Sequence, residues 1–203
     1  MGLMRHRFRS QRYGCIAAVL LALSACVCHA ADPVKVLIAY SSQTGHTEKM
    51  AQAAAEGVRQ ADAQAVLRRV TEVSKQDLEQ ADGIMLGSPV HMGDVAAEMR
   101  TALVSWSGGE FGFWSSRALQ DKVGAVFATG GAPSNGKEFT MMSMALGLLQ
   151  YGVVLVSPYG GVGASATTGI PEMEKGVDER ELTEARELGK RVAVIAARLK
   201  GTP

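Results

Sequence analysis

Cysteine is scarce in this chain of 203 residues, and its distribution excludes the class of small disulfide-stabilised proteins. All three cysteines, Cys15, Cys26 and Cys28, lie before residue 30. The rest of the sequence therefore has no disulfide and no thiol nucleophile. Its 47% hydrophobic content is enough to build a core without covalent cross-links. We expect one globular domain, residues 31–203, behind a separate N-terminal segment.

Runs of positive charge are also missing beyond the N-terminus. Four arginines lie in the first thirty residues without any Asp or Glu, and the rest of the chain carries a net charge of about −3. Domains that bind nucleic acid usually carry a clustered basic face. The composition therefore gives no reason to expect nucleic acid as a partner.

The first thirty residues have the three-part organisation of a secretory signal peptide. A basic stretch ends at Arg12, an apolar stretch covers residues 13–25, and small residues lead to Asp32-Pro33. The apolar stretch is too short to span a bilayer. We therefore predict that residues 1–30 are a signal peptide and that the protein is exported to the periplasm or cell envelope.

Two processing sites fit this segment, and they would produce different proteins. Cys28-His29-Ala30 fits the small-x-small pattern and would release a soluble domain that begins near Ala31. Leu23-Ser24-Ala25-Cys26 resembles a bacterial lipobox, which would leave a lipidated Cys26 as a membrane link. The soluble form is favoured, because only about seven residues, or roughly 23 Å of extended chain, would separate Cys26 from the first predicted strand.

Beyond Pro33, short β-branched segments alternate with longer segments of helical period. This pattern is typical of a parallel sheet with helices on both faces, and it predicts an α/β three-layer sandwich. Five strands are predicted, at residues 34–40, 65–70, 83–87, 123–128 and 153–156. Helices are predicted at residues 48–61, 94–105 and 138–151, and a last helix begins at a capping box formed by Asp178 and Glu181.

The loop after the first predicted strand carries the strongest functional signal. It is rich in hydroxyl groups and runs directly into a helix N-terminus, whose free N–H groups and positive dipole end suit a phosphate. In open α/β sheets, ligands bind outside the carboxyl ends of the strands. The residues predicted to bind phosphate, called the first segment below, are Ser42, Gln43, Thr44, Gly45, His46 and Thr47.

Two other glycine patterns point to different ligands. Residues 131–137 have the spacing of a P-loop, but Glu138 follows where that pattern needs Ser or Thr to reach magnesium. Residues 161–166 match a dinucleotide-binding fingerprint, but no helix opens directly behind them. Neither pattern is as consistent with its expected context as the first segment.

Three parts of the sequence together resemble one family. The run Ser-x-Thr-Gly-x-Thr-Glu at residues 42–48 is similar to the FMN phosphate loop of flavodoxins. Residues 87–100, GSPVHMGDVAAEMR, and residues 127–131, FATGG, resemble in order and spacing their counterparts in the WrbA-type NAD(P)H:quinone oxidoreductases. The resemblance covers nearly all of the chain beyond the N-terminal segment.

This resemblance implies a flavodoxin-like fold with strand order 2-1-3-4-5, FMN as the cofactor, NAD(P)H as a co-substrate and a dimeric or tetrameric assembly. A second segment would line the edge of the isoalloxazine ring, and a third would complete the flavin site. The second segment consists of Pro89, Val90, His91, Met92 and Gly93. The third segment consists of Thr129, Gly130, Gly131, Ala132, Pro133 and Ser134.

Two features depart from the family. Tyr151 stands just before Gly152, where the family commonly carries a histidine near the flavin, so the candidate catalytic residues are His91 and Tyr151. A tyrosine titrates near a pKa of about 10 and does not transfer protons at neutral pH as a histidine does. Residues 157–177 also form a shorter segment than in the family.

Two functions follow from the resemblance. One is an FMN-dependent enzyme that reduces a quinone with two electrons from NAD(P)H or another donor. The other is an exported flavodoxin that carries single electrons between proteins. Such carriers usually combine strong negative charge with aromatic residues that sandwich the flavin, and the second segment has no aromatic residue. The enzyme is the favoured hypothesis. Its electron donor stays open, because reduced nicotinamides are cytoplasmic and the protein is predicted to be exported.

Overall fold

The structure is a computed structural model that describes residues 32–170, 173 and 175–201. The predicted signal peptide and both processing sites lie outside the described residues. Within those residues, no helix combines the length and hydropathy needed to cross a membrane.

The described part of the chain contains one sheet of seven strands. The main path of the sheet is parallel and has the order β2-β1-β3-β5-β6, while β4 pairs antiparallel with the end of β3. The strands are β1 (Lys35–Tyr40), β2 (Gln64–Arg69), β3 (Gly83–His91), β4 (Asp94–Val95), β5 (Val123–Gly130), β6 (Val154–Leu155) and β7 (Ala164–Thr167).

The fifth position of the sheet is where the prediction and the structure differ. The predicted α/β sandwich is confirmed, but the count of five strands is wrong. Strand β6 pairs with the start of β5, and β7 pairs in parallel with its end, so two short strands share one position. Strand β7 has only four residues, two of them alanines, which are weak strand formers, and it lies next to a glycine-rich stretch, so it was not recognised in the sequence.

The helices cover both faces of the sheet. They are α1 (His46–Gln60), α2 (Lys75–Gln80), α3 (Ala97–Ser105), α4 (Phe113–Ser116), α5 (Lys137–Gln150) and α6 (Glu179–Lys200). The short helices α2 and α4 were not predicted. Helix α3 begins three residues later than predicted, because Asp94 and Val95 pair with β3 as a strand.

The hydrophobic core lies in two layers, one on each face of the sheet. Successive residues of β1 point to opposite layers, so Ile38 packs on the α1 and α6 side while Leu37 packs on the α3 and α5 side. Helices α1 and α6 approach most closely at Gly57 and Gly189. A Cβ at Gly189 would lie 2.0 Å from the carbonyl oxygen of Ala54, so only glycine fits there.

The start of α6 confirms the predicted capping box. The Asp178 carboxylate accepts from the Glu181 N–H, and the Glu181 carboxylate accepts from the Asp178 N–H, both at 2.9 Å. The two bonds satisfy N–H groups that a helix start would otherwise leave unpaired, so α6 begins at a fixed point behind β7.

Candidate functional site

The three predicted segments meet at the carboxyl edge of the sheet. They follow or end β1, β3 and β5, which are adjacent in the order β1-β3-β5. The hydroxyl oxygens of Thr47 and Thr129 are 2.7 Å apart and buried, which joins the first segment to the third. A Cβ at Gly136, two residues after the third segment, would lie 2.8 Å from the Gly93 carbonyl oxygen, so the second segment contacts the loop that continues the third. The chain thus forms one continuous surface from the predicted residues.

The helices that leave this surface begin at residues whose own side chains do not cap them. Helix α1 has Gly45 at its N-cap with φ of 87°, which offers no side-chain cap, and the Ser42 hydroxyl accepts from the Glu48 N–H at 3.3 Å. Helices α3 and α5, which follow the second and third segments, likewise lack a side-chain cap within the described part of the chain. By contrast, α2 and α6 follow none of the three segments and carry complete capping boxes. Uncapped helix starts leave N–H groups available to an anion.

A small charged cluster supports the first segment from β2. The Arg69 guanidinium donates to the Ser42 carbonyl oxygen at 2.9 Å and pairs with the Glu48 carboxylate at 3.3 Å. It also lies 5.7 Å from the centre of the Tyr40 ring. Arg69 therefore compensates the negative charge of Glu48 beside a loop suited to phosphate. Arg69 was not predicted as a site residue, and its position at the end of β2 was the available signal.

Tyr40 completes this cluster. Its hydroxyl donates to Glu48 at 3.1 Å. Burial, followed by the hydrogen bond to Glu48, raises the pKa of Tyr40. The phenol is therefore a neutral hydrogen-bond donor that fixes the Glu48 carboxylate.

The second segment is a β-hairpin, because the strand predicted at residues 83–87 extends four residues further and pairs with β4. Strand β3 continues through His91 and turns back at Met92 and Gly93, whose φ angles are 49° and 82°. The turn brings Asp94 opposite His91, and the Arg100 guanidinium holds the Asp94 carboxylate at 3.2 Å. The Met92 side chain is fully exposed at the tip of the hairpin. Met92 therefore has no role in the core and is available to a ligand.

The third segment continues from β5 into the loop before α5. Thr129 and Gly130 are the last residues of β5, while Gly131, Ala132, Pro133 and Ser134 lie in the loop. Lys137, which completes the P-loop spacing, donates to the carbonyl oxygens of Ala132 and Pro133. A P-loop lysine must reach a bound phosphate. This lysine instead points into its own loop, which argues against the P-loop hypothesis.

Tyr151 lies far from the three segments of its own chain. It follows the last residue of α5, whereas the third segment precedes the first residue of the same helix. Fourteen helical residues separate the two ends, a distance of about 21 Å. The Tyr151 hydroxyl donates to the Leu103 carbonyl oxygen at 2.5 Å, and burial raises its pKa. Tyr151 is therefore not part of the surface that the three segments of its own chain form, and its catalytic role stays a prediction.

Tyr151 instead lines a cavity of about 740 Å³ between α3, α4 and α5. The wall is mostly apolar and includes Leu103, Val104, Trp114 and Leu146. This cavity is distinct from the surface formed by the three segments.

Known proteins resemble this chain in sequence and fold. Residues 38–169 match the family model described as Flavodoxin. A protein named NAD(P)H dehydrogenase (quinone) from Methylocella silvestris is 33% identical over 205 residues, covering 82% of this chain and 99% of the relative. A protein of the same name from Gluconacetobacter diazotrophicus is 35% identical over 199 residues, covering 81% and 98%.

Solved structures agree with the sequence comparisons. The WrbA-like flavodoxin from Agrobacterium tumefaciens superimposes with a TM-score of 0.67 and 28% identity, covering 81% of this chain and 98% of that one. A flavodoxin from the domain Archaea, with a TM-score of 0.63 and 20% identity, shows the shared fold alone. These matches confirm the resemblance seen in the sequence. The chain therefore belongs to the flavodoxin family and groups with its members named NAD(P)H dehydrogenase (quinone).

Proposed function

We propose that this protein is an FMN-dependent oxidoreductase that reduces quinones by two electrons and accepts NAD(P)H as a donor. The observation that carries the proposal is the convergence of three segments on one edge of the sheet, each followed by a helix whose N-cap residue supplies no side-chain hydrogen bond. The names of relatives that match over nearly their whole length support the same activity.

The first segment fits a phosphate group. Backbone N–H groups at the start of α1 and the side chains of Ser42 and Thr44 supply donors for an anion. A Cβ at Gly45 would meet nothing within 4 Å among the described residues, so a ligand can approach the backbone there. The buried Thr47 ties this segment to β5 through Thr129. Phosphate binding therefore requires no lysine in this loop.

The second and third segments fit a flat ring system. When bound, FMN supplies the redox chemistry by accepting a hydride and passing two electrons to an acceptor. The hairpin places His91 and Met92 at the rim and has no aromatic residue that would cover the ring. A quinone can therefore stack on the uncovered face of the isoalloxazine ring. The imidazole of His91 is the candidate donor of a proton to the quinone oxygen.

The single-electron carrier is the weaker hypothesis. The described hairpin lacks the aromatic cover of a carrier, and the relatives' names are those of enzymes. A stable one-electron semiquinone without oxidation of NADH or NADPH would favour the carrier instead.

FMN binding and turnover test the proposal. The purified protein is titrated with FMN and then mixed anaerobically with NADH or NADPH and a benzoquinone. Thr44→Val removes one donor to the phosphate and is expected to raise the Kd for FMN about 10-fold. Thr101→Val, at an exposed site on α3, is the matched control and should leave the Kd unchanged. A protein that takes up no FMN would contradict the proposal.

The proposed assembly is a homo-oligomer formed through the outer side of α5. Its large side chains at positions 139, 142, 146 and 149 are all apolar and exposed, while its opposite side is core. Trp114, 62% exposed, and Val104 extend this apolar surface across α4 and α3. Contiguous exposed apolar surfaces of this kind mark interaction sites. Sedimentation velocity tests the proposal, and a monomer at micromolar concentration would contradict it.

The proposed location is the periplasm or cell envelope. The basic and apolar pattern of residues 1–30 supports it, and the relative from Methylocella silvestris matches over 99% of its own length while part of this chain stays unmatched. The mass of the N-terminal peptide from cells tests it. A start near Ala31 indicates a soluble exported protein, a diacylated Cys26 indicates a membrane link, and an intact Met1 would overturn export.

A further inference from the structure

Lys137 is a buried cation with every donor in use. Only 4% of the residue is exposed, although it is the first residue of α5. Its ammonium group donates to the carbonyl oxygens of Ala132 at 2.9 Å and Pro133 at 3.1 Å, and to the hydroxyl of Thr167 at 2.9 Å. An ammonium has three N–H donors, so all three are paired. The acceptors are neutral, and no carboxylate among the described residues lies within 4.0 Å of it.

These bonds orient the loop between β5 and α5, residues 131–136, called the β5–α5 loop below. The C=O and N–H of a trans peptide point in opposite directions. Because the Pro133 carbonyl points to Lys137, the N–H of Ser134 points to the other side of the loop. The Asn135 amide, in the orientation that satisfies both its atoms, donates to Ala132 and accepts from Gly131 at 3.0 Å. The loop is therefore held from its inner side and turns a backbone donor outward.

The same lysine connects the loop to the C-terminal part of the fold. Thr167, its third acceptor, is the last residue of β7. The Thr167 N–H donates to the Glu181 carboxylate at 2.8 Å, and the other oxygen of Glu181 caps α6. Lys137 thus links the β5–α5 loop to β7 and, through Thr167 and Glu181, to the start of α6. Burial lowers the pKa of Lys137, and the charges of Glu138 and Glu181 oppose that change.

We propose that Lys137 is the positioning residue of the β5–α5 loop and that it holds this loop in the conformation that receives FMN before FMN arrives. The inference rests on the proposed FMN site and deepens it. A loop that is already ordered loses little conformational entropy when a ligand binds, which strengthens binding. Lys137, although it stands at the P-loop spacing, thereby binds carbonyl groups of its own loop and not a phosphate.

Amide hydrogen exchange of the full protein, freed of FMN, tests the proposal directly. Lys137→Met keeps an unbranched chain but removes all three donors. We expect amides in the β5–α5 loop to exchange at least 10-fold faster, while amides in β1 and α6 keep their rates. The Kd for FMN should rise about 10-fold, and the visible circular dichroism of bound FMN should change at saturation. Lys190→Met, at an exposed site on α6, is the matched control and should change none of these.

A second variant keeps the test decisive if Lys137→Met does not fold. Thr167→Val removes one of the three acceptors and leaves the lysine in place. We expect faster loop exchange and a higher Kd for FMN, each by about 3-fold. A folded Lys137→Met protein, or a Thr167→Val protein, with loop exchange and Kd like those of the wild type would overturn the proposal. If the wild type binds no FMN, the proposed function fails, and loop exchange in the two variants still decides the role of Lys137.

Discussion

The two helical layers that cover the sheet are packed in different ways. On one face, α1 and α6 approach so closely that backbone atoms occupy the space a side chain would need at Gly57 and Gly189. On the other face, α3, α4 and α5 leave a cavity of about 740 Å³ and expose large apolar side chains. The first face is complete within one chain. The second has the composition of a core on its outer side, which is expected of a surface that another copy covers.

The largest expected effect comes from adding a side chain between α1 and α6, the closely packed pair of helices. Gly189→Ala places a Cβ 2.0 Å from the Ala54 carbonyl oxygen, so the two helices must separate. We expect the free energy of unfolding to fall by about 3 kcal/mol, measured by urea denaturation. Gly108→Ala is the control, because its Cβ would meet nothing within 4 Å in the described part of the structure. Equal urea midpoints for the two variants would mean that α1 and α6 accommodate the added methyl group without loss of stability.

A charge on the exposed apolar side of α5 should reduce association without lowering the stability of the monomer. Leu146 is 52% exposed, so Leu146→Glu should change the free energy of unfolding of the monomer by less than about 0.5 kcal/mol. The same variant should shift sedimentation from an oligomer to a monomer. Lys190→Glu, on the exposed side of α6, should leave sedimentation unchanged. A Leu146→Glu protein that still associates would place the interface elsewhere.

The loss of one buried hydrogen bond is expected at Tyr151, which lines the cavity between α3, α4 and α5. Tyr151→Phe removes the hydrogen bond to Leu103 and should lower the free energy of unfolding by about 1 kcal/mol at pH 7. Burial raises the pKa of Tyr151 in the folded state. An unfolded tyrosine ionises near pH 10 and the folded one at higher pH, so this contribution is complete below pH 10 and is lost as the pH rises through the folded-state pKa.

Urea midpoints at neutral and alkaline pH measure this effect. The difference between the wild type and Tyr151→Phe should narrow above about pH 10. The lysines whose pKa is lowered by burial, Lys122 and Lys137, have the opposite pH dependence, but they are present in both proteins and cancel. A difference that does not change with pH would show that the hydroxyl is not desolvated.

The sequence predicts the layers of the fold well and singles out the first segment as the candidate phosphate loop, because both depend on local signals. Alternation of β-branched and helical segments is enough to indicate a parallel sheet, and Ser42 to Thr47 form a contiguous motif. Lys137 was noticed for its spacing, but its partner Thr167 lies thirty residues away and belongs to an unpredicted strand. Tyr151 was assigned by position relative to a family, whereas the direction of α5 places it at the other end of the helix from the third segment. Contacts between residues distant in sequence, and the position that the direction of α5 gives Tyr151, were therefore not predicted.

The packing of α1 against α6 also has a consequence for the order in which the chain is made. Helix α1 begins within the first segment, near the start of the domain. Its partner α6 consists of 22 residues at the end of the described chain. Until α6 emerges from the ribosome, the apolar face of α1 has no partner helix. The first segment thus depends on a helix that is synthesised much later, and cofactor loading is expected to follow the synthesis of α6.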